Sequence, residues 1–535
     1  MDGLPGNLVE PPPHERAHPV GNLDDLPRIM ITAEEAYPVL EALFLRAREE
    51  VRMGFRIFDP ATPLYSAEGR AVGRDWFDLV LHTLCRGVDV EVVISDFDPV
   101  VASETHRLTW RSIRMLTAVR ELARAAGAAG RLRAVAAMHP ARVAPAARLA
   151  LYGNIRAEVR ERIAWLGRME EAERARALAE MPGLDRWIHG SGGRMRPVRW
   201  PVPDLVPATH HQKLAVFDRE TLFIGGLDVN ERRFDTKDHD RDAPQTWHDI
   251  QVLVGGREAA DAHAHLGRFL DEVALRRPVA SSGGTILRTL STARRFRGVS
   301  MAPEPAVAEI EEAHVEAVGR AERFVYLESQ FFRSRPLAAA MARAARANPS
   351  LTCILMLPAA PEELAFEGRE KVDMRYGEFL QARCLRKIRR AFGSRLFVGA
   401  PARAVRHHTD GRDTLRAAPI VYVHAKASFF DDRLCIVSSA NLNGRSFRWD
   451  TEAGVTFADP EVIRAFRLRC FDHWLPDDAA PEARAPGSAV GAWTRLAAQN
   501  AAAPPQRRRG FVMPYEFEPG ERFGRDLVAV PEELV

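Results

Sequence analysis

Two stretches of the chain carry one reactive spacing. The first reads Thr209-His210-His211-Gln212-Lys213-Leu214-Ala215-Val216-Phe217-Asp218, and the second reads Val423-His424-Ala425-Lys426-Ala427-Ser428-Phe429-Phe430-Asp431. Each contains His-x-Lys-x4-Asp. From this composition one chance match has a probability of roughly one in a hundred, and two independent matches roughly one in ten thousand. The lysines are only Lys213, Lys237, Lys371, Lys387 and Lys426, yet two of them fall inside the motifs. Seven residues after each Asp come small residues, Gly225-Gly226 and Ser438-Ser439. A surface strand with incidental His and Lys is the plain alternative, and the duplication argues against it.

In a strand, residues i and i+2 share a face. His211 therefore shares a face with Lys213, and His424 with Lys426. If two halves of the chain pack about a pseudo-two-fold axis, those faces are expected to meet. The site then holds two imidazoles and two ammonium groups. No carboxylate cluster or cysteine set accompanies them, so no metal and no cofactor is expected at the reaction centre. The assembly suits a phosphodiester. Lysines neutralise the non-bridging oxygens as phosphorus becomes trigonal bipyramidal. One neutral imidazole can attack phosphorus, and the other, protonated, can serve the leaving oxygen. Opposite protonation states require carboxylates to set the two rings apart.

The elements that must position these groups are legible in pattern. Thr32-Ala33-Glu34-Glu35 is a capping-box pattern, followed by apolar residues at helical spacing through Leu40, Leu43, Phe44 and Ala47. Strand-like Val51–Phe58, a helix around Asp75–Cys85 and the β-branched run Val88–Ile94 form a strand-helix-strand order, which implies parallel pairing. The order returns with a helix near Ala306–Arg320, a strand at Phe324–Leu327, a helix near Leu337–Ala345 and a strand at Leu351–Leu357. Each half then reaches its motif, a small-residue turn, and an acidic residue opening a strand, Asp249 or Glu452. This is an internal duplication of roughly two hundred residues, too long a period for a solenoid.

The expected organisation is a disordered tail over 1–28, an N-terminal half over 29–285, a C-terminal half over 300–475, and a loosely packed Pro/Ala-rich tail over 476–535. Residues 277–300 read as the connection. Residues 100–205, Arg- and Ala-rich and mostly helical with Trp187 and Trp200, read as an insertion in the first half. It either covers the site or is a packing helix pair without a ligand role.

Bulk properties exclude little but consistently. The 535 residues carry a formal net charge of +3, which gives little of the basic footprint of a nucleic-acid backbone binder. The cysteines Cys85, Cys353, Cys384, Cys435 and Cys470 are scattered without metal-ligand spacing and read as reduced core filler. No basic n-region with an apolar h-region opens the chain, and no apolar run reaches membrane-spanning length. A cytoplasmic or peripheral-membrane monomer is expected, with non-classical secretion as the alternative.

From about Ile31 to Leu475 the chain resembles the phospholipase D superfamily, and more closely its eukaryotic-like bacterial branch. Besides the paired motifs, Gly225-Gly226-Leu227-Asp228-Val229-Asn230 and Arg233-Phe234-Asp235-Thr236 are similar to the segments that follow the first motif there. Trp247-His248-Asp249-Ile250 resembles the Trp-His-Asp segment of that branch. Glu328-Ser329-Gln330-Phe331-Phe332 resembles its Glu-Asn-Gln-Tyr-Phe strand, departing at Ser329 and Phe331. Ser438-Ser439-Ala440-Asn441-Leu442-Asn443 resembles the Gly-Ser-x-Asn turn, with Ser438 in the Gly place.

The resemblance implies a bilobal α/β fold of two duplicated α-β-α halves, each with a mixed central sheet. It implies metal-independent hydrolysis of a phosphatidylcholine-like head-group ester to phosphatidic acid through a phosphohistidine, with alcohol exchange as a second outcome. It makes His211 the nucleophile and His424 the acid/base, a point on which the motifs themselves are symmetric. Asp249 and Glu452 should orient the imidazoles, each reaching across to the other half. Asp218 and Asp431 should brace the fold. Gly226, Asn230, Ser439 and Asn441 are candidates for phosphate or supporting hydrogen bonds. The partner expected is a phospholipid at a membrane surface, with no nucleic acid. A cardiolipin synthase-like phosphatidyltransferase and a nuclease of the same superfamily are the alternatives; a non-catalytic binding scaffold is disfavoured by intact motifs.

Other polar groups have plainer readings. His210 should point away from His211 and pack. Asp238-His239-Asp240-Arg241-Asp242 has the look of a metal loop but reads as solvated. His407-His408 reads as a surface pair, Lys237 as a surface lysine, and Phe331-Phe332 and Phe429-Phe430 as core. Arg386, Lys387, Arg389 and Arg390 form a basic helical cluster that is either a solvated face or a contact surface.

Overall fold

The computed structural model describes residues 18, 20–280, 284–294, 302–368, 370–407, 411–528 and 530–535. Most of the expected N-terminal tail lies outside the described residues. The first half supplies β1 (Arg28–Ile31), β2 (Glu50–Phe55), β3 (Asp89–Asp96) and β4 (Leu132–Met138), a small hairpin of β5 (Ile188–His189) and β6 (Arg196–Pro197), then β7 (Leu214–Phe217), β8 (Thr221–Gly225) and β9 (Ile250–Gly255). Apart from the hairpin they form one sheet, ordered β1-β9-β8-β7-β2-β3-β4. Strands β2, β3 and β4 run parallel, and the other junctions are antiparallel.

The second half supplies β10 (Ile286–Thr292), β11 (Glu304–Ala308), β12 (Phe324–Ser329), β13 (Thr352–Met356), β14 (Leu396–Pro401), β15 (Lys426–Phe430), β16 (Leu434–Ser438), β17 (Glu452–Phe457) and β18 (Val512–Pro514). Its sheet is ordered β11-β10-β17-β16-β15-β12-β13-β14-β18. The inner seven strands repeat the first sheet one for one. The chain therefore has the duplicated α/β architecture expected, with a mixed sheet in each half.

Parallel pairing demands crossovers, and helices supply them. Asp75 caps Trp76–Cys85 by accepting the Asp78 N–H. Ser334 caps Arg335–Ala347 by accepting the Leu337 N–H, with Pro336 in the first turn where its missing donor is harmless. The capping box at Thr32 works from one side only. Glu35 accepts the Ile31 N–H at 3.0 Å, while the Thr32 hydroxyl has no partner.

Alternation along the strands sorts side chains into three apolar layers. Leu214 and Val216 join Ala427, Phe429, Cys435 and Val437 in a core shared by the two sheets. Ala215 and Phe217 join Phe44, Trp76 and Leu79 under the first half's outer helices. Phe430 and Ile436 join Leu337, Met341 and Leu385 under those of the second. The shared layer makes the halves one body.

Three expected boundaries are corrected. Residues 100–138 are not insertion, because helix Ser103–Ala125 and β4 complete the first half's layer as Val372–Phe392 and β14 complete the second's. The extra material is residues 139–209, which hold helices Pro145–Gly167 and Glu171–Ala179 with their own core around Val159, Leu184 and Trp187. Residues 277–300 are more than a connection, since β10 within them pairs with β17. The C-terminal segment is packed rather than loose: β18 pairs with β14, and Trp493 is fully buried against Tyr326 and Phe471. Its Pro and Ala content concealed a helix, Ala489–Ala502, whose apolar stripe completes the shared core.

Candidate active site

Both motif aspartates turn the chain just after a strand, and both do so in the left-handed region, φ 50 at Asp218 and 53 at Asp431. Asp218 accepts the N–H groups of Arg48, Glu49 and Glu50 at 2.8–3.0 Å. Asp431 accepts those of Glu322, Arg323 and Phe324 at 2.8–2.9 Å. Each carboxylate thereby sets the start of the adjacent strand, and bonds of this charge-assisted kind contribute about 1.5–3 kcal/mol apiece.

The motif histidines and lysines do not meet through facing sheets. The shared core takes Leu214 and Val216 from β7 but Ala425, Ala427 and Phe429 from the second motif, so His and Lys lie out of phase with the inner faces. Convergence happens at the strand ends, where each half's backbone crosses to the other. The His211 N–H donates to the Thr451 carbonyl at 2.8 Å, and the Thr451 N–H to the Thr209 carbonyl at 2.9 Å. In the mirror crossing, the His248 N–H donates to Tyr422 at 2.8 Å, and the His424 N–H to His248 at 2.7 Å. The crossings carry Glu452 to His211 and Asp249 to His424.

The two carboxylate–imidazole pairs differ in alignment. His424 Nδ1 donates to Asp249 Oδ2 at 2.6 Å. His211 Nδ1 stands 2.8 Å from Glu452 Oε1, yet off the hydrogen-bonding direction. Glu452 Oε2 instead accepts the Ser439 hydroxyl at 2.5 Å. The Lys213 ammonium lies 3.2 Å from His211 Nδ1 and 3.3 Å from its Nε2. That of Lys426 lies 2.8 Å from His424 Nδ1. Trp247 packs its ring 4.5 Å from that of His424 and sends its N–H to Asp249 at 3.3 Å. Gly226 leaves room for this: a Cβ there would stand 2.0 Å from Asp249 Oδ1 and 3.1 Å from the Lys426 side chain.

Burial sets the electrostatics. It pushes Asp249 up to about 7 and Glu452 up to about 8, against the pull of the lysines. It pulls Lys426 down to about 7 and lowers Lys213. Both imidazoles are held well below their ordinary value, first by burial and then by nearby cations: Lys213, Arg56 and Lys426 at His211, and Lys426, Lys213 and Arg233 at His424. A site of partly discharged acids and bases gains charge separation when an anion enters.

The sequence-derived candidates divide. His211, Lys213, His424, Lys426, Asp249 and Glu452 come together, with Gly226 and Ser439 beside the two carboxylates. Asn441 is buried with its side-chain oxygen unpartnered. Asn230 is engaged elsewhere, capping Glu231–Arg233 through the Arg232 N–H at 2.9 Å. Arg56, Asp228 and the clamp of Arg232 and Arg233 on Glu362 were not foreseen as site groups. Both arginines reach Glu362 Oε1 at 3.1 Å, and Arg233 lies 3.6 Å over the Trp247 ring. Aligning the halves would have found the first two: Gly54 pairs with Leu214 as Glu328 pairs with Ala427, which equates Arg56 with Gln330 and Asp228 with Asn441.

A family described as cardiolipin synthase, PLD-like domain, matches residues 315–474. Phospholipase D1 of Schizosaccharomyces pombe is 23% identical over 380 residues, covering 50% of this chain and 26% of that protein. Phospholipase D alpha 4 of Arabidopsis thaliana is 24% identical over 370 residues, covering 48% of each. Over these segments the chain is similar to the phospholipase D superfamily. It spans half or less of the length of these phospholipase D relatives. A phosphatidylserine synthase structure from Haemophilus influenzae Rd KW20 overlaps with a TM-score of 0.44 at 13% identity, over 84% of this chain and 88% of that one.

Outside the two His-x-Lys-x4-Asp motifs' reactive groups, His210 is buried between the rings of His139 and Phe269, each 5.3 Å away. Phe332, Phe429 and Phe430 are core, while Phe331 lies under the Arg333 guanidinium. Lys237 is exposed. His408 is outside the described residues. The exposed basic cluster lies on helix Val372–Phe392: Arg386 pairs with Glu521, and Arg389 stacks over Phe517. Arg386, Arg389 and Arg390 line a groove of about 910 Å³ that contains no motif residue. The solvated-loop reading of residues 238–242 is corrected at His239, which is fully buried. Its ring is drawn inward by Asp235, whose Oδ2 accepts the His239 Nδ1–H at 2.6 Å. Among the described residues no helix is long and apolar enough to cross a membrane.

Proposed function

We propose that the chain is a phospholipase D-type phosphodiesterase that cleaves the head-group ester of a phosphatidylcholine-like glycerophospholipid to phosphatidic acid. The observation that carries this reading is the exchanged pairing of motifs and carboxylates, His211 with Glu452 and His424 with Asp249, around two buried lysines.

His211, ringed by cations and therefore neutral, attacks phosphorus through Nε2. The P–N bond forms as the bond to the head-group oxygen breaks, and His424, which the entering phosphate's negative charge lets take up a proton beside Asp249, donates that Nε2 proton to the oxygen. Water then gives a proton to His424 and attacks phosphorus, releasing His211 and phosphatidic acid. Lys213 and Lys426 neutralise the non-bridging oxygens throughout. An alcohol in place of water gives exchange. Transfer to a second lipid's hydroxyl is the reading favoured by the cardiolipin synthase description of the matching family, and it differs only in the acceptor.

Phosphatidylcholine vesicles with a little ethanol test both. Choline release with phosphatidylethanol is expected. Absence of both lipid products across several head groups rejects the proposal, while cardiolipin from phosphatidylglycerol alone selects the transferase.

A further inference from the structure

We propose that His239, His248 and His473 form a binding site for one divalent late first-row cation, of which Zn²⁺ is representative, and that this ion staples the two halves together behind the reaction centre. One ring nitrogen from each histidine lies within 4.8 Å of the other two. His239 and His248 come from the first half, on the segment between β8 and β9. His473 comes from the second, on helix Pro460–Trp474.

Tautomers carry the argument. Asp235 takes the Nδ1–H of His239, which leaves Nε2 as a lone-pair donor. Glu328 takes the Nε2–H of His248 at 2.7 Å, which leaves Nδ1 as a lone-pair donor. The carboxylates are themselves held. Asp235 Oδ2 also accepts the Trp247 N–H at 2.7 Å, and Glu328 Oε1 accepts the Tyr326 hydroxyl at 2.5 Å and the Trp474 indole N–H at 3.2 Å.

Neither ring can turn its N–H inward without abandoning a carboxylate. His473 has one Nε2–H to offer, and it already reaches His239 Nε2 at 2.9 Å. His248 Nδ1 is left buried without a hydrogen-bond partner. The single His473 proton cannot serve both lone pairs in this apolar enclosure, and a cation satisfies them together. Imidazoles whose far nitrogen is fixed by a carboxylate are the usual supporting arrangement for a metal-bound histidine.

The surroundings fit. Trp474 lies 4.2 Å from the His248 ring and stacks on His239, and Phe511 closes the other side. His239 adopts a left-handed φ of 49, uncommon for a non-glycine residue, which turns its ring inward. Nitrogens around a tetrahedral zinc stand about 3.3 Å apart, so a turn of the half-exposed His473 ring completes the set. Three nitrogens leave the fourth position to water. The ion would not touch phosphorus, but the His248 carbonyl holds the His424 backbone, so the staple steadies that crossing.

The test uses the full chain stripped of metal, then titrated with Co²⁺ and Zn²⁺. One equivalent of Co²⁺ should give the visible bands of a tetrahedral site, Zn²⁺ should displace it, and Zn²⁺ should raise the melting temperature. His473→Gln should abolish stoichiometric binding, and Asp235→Asn should weaken it ~10- to 100-fold with all three imidazoles still present. Zn²⁺ should also shield His473 of the unaltered chain from carbethoxylation, read by mass spectrometry, which requires no variant to fold. Absence of stoichiometric binding by the unaltered chain, no protection of His473, or undiminished binding by His473→Gln each overturns the proposal.

Discussion

The two halves keep one frame and differ in the polar groups hung on it. Asp218 and Asp431 make the same three backbone bonds at the same left-handed turn. Around the histidines the positions diverge. Gly226 faces Asp249 where Ser439 faces Glu452, Asp228 stands where Asn441 stands, and Arg56 stands where Gln330 stands. His424 has an aligned carboxylate at 2.6 Å, whereas Glu452 divides its attention between His211 and Ser439. The unequal shells are what can give two equivalent histidines unequal work, the first beside Arg56 where the second half has Gln330, and the second held by a dedicated carboxylate.

The largest test of that asymmetry is His211→Gln against His424→Gln. Each should lower turnover by about 10³-fold or more, but only His424→Gln should accumulate phosphorylated protein after one turnover, with the phosphate on His211 by mass spectrometry. Phosphate found on His424 would reverse the assignment.

Next come the carboxylates. Asp249→Asn should lower kcat by ~10³-fold with little change in KM, because it loses the aligned partner of the acid/base. Glu452→Gln should lose only ~10²-fold, since Ser439 still holds the amide. Equal losses would remove the distinction between the two pairs.

A smaller contrast lies at the turns. Gly226→Ala drives a methyl into Asp249 and should lower kcat by ~10²-fold. Ser439→Gly removes one hydroxyl bond and should change kcat only a few-fold, at about 1 kcal/mol of stability in urea unfolding.

The gentlest effect is on pH dependence. Asp249 and Glu452 keep their protons in the native state up to about 7 and about 8, against ordinary values of 3.8 and 4.5. At these two groups the unfolded chain holds fewer protons between those limits, so their own contribution to stability falls as pH rises from 5 toward 7; the buried imidazoles, lowered from 6.5, act oppositely below that value. Lys426, lowered to about 7 from 10.5, acts oppositely above pH 7. Urea unfolding at pH 5 and pH 7 should show the unaltered chain losing stability relative to the Asp249→Asn, Glu452→Gln pair, in which the histidines are the same. Identical profiles would mean that the carboxylates are not held protonated by burial.

What the amino-acid order determined alone is whatever is local or repeated. The spacing of His, Lys and Asp, the β-branched runs, the capping residues and the twofold recurrence each follow from short-range periodicity, and they sufficed for the duplicated α/β architecture, while the orienting role of Asp249 and Glu452 came from the family resemblance. Tertiary structure decided the rest. The reactive side chains converge through backbone crossings at Thr451 and His248 rather than through facing sheets, because strand alternation gives the inner faces to the apolar core. Composition could not show that the Pro- and Ala-rich C-terminal segment supplies β18 and buries Trp493, since the Trp493 ring is enclosed in part by Tyr326 and Phe397, which lie far away in the chain. Nor could a polar pentapeptide show that His239 points inward, because that direction comes from Asp235 on its own segment and from Trp474 and Phe511, which only the closed fold brings beside it.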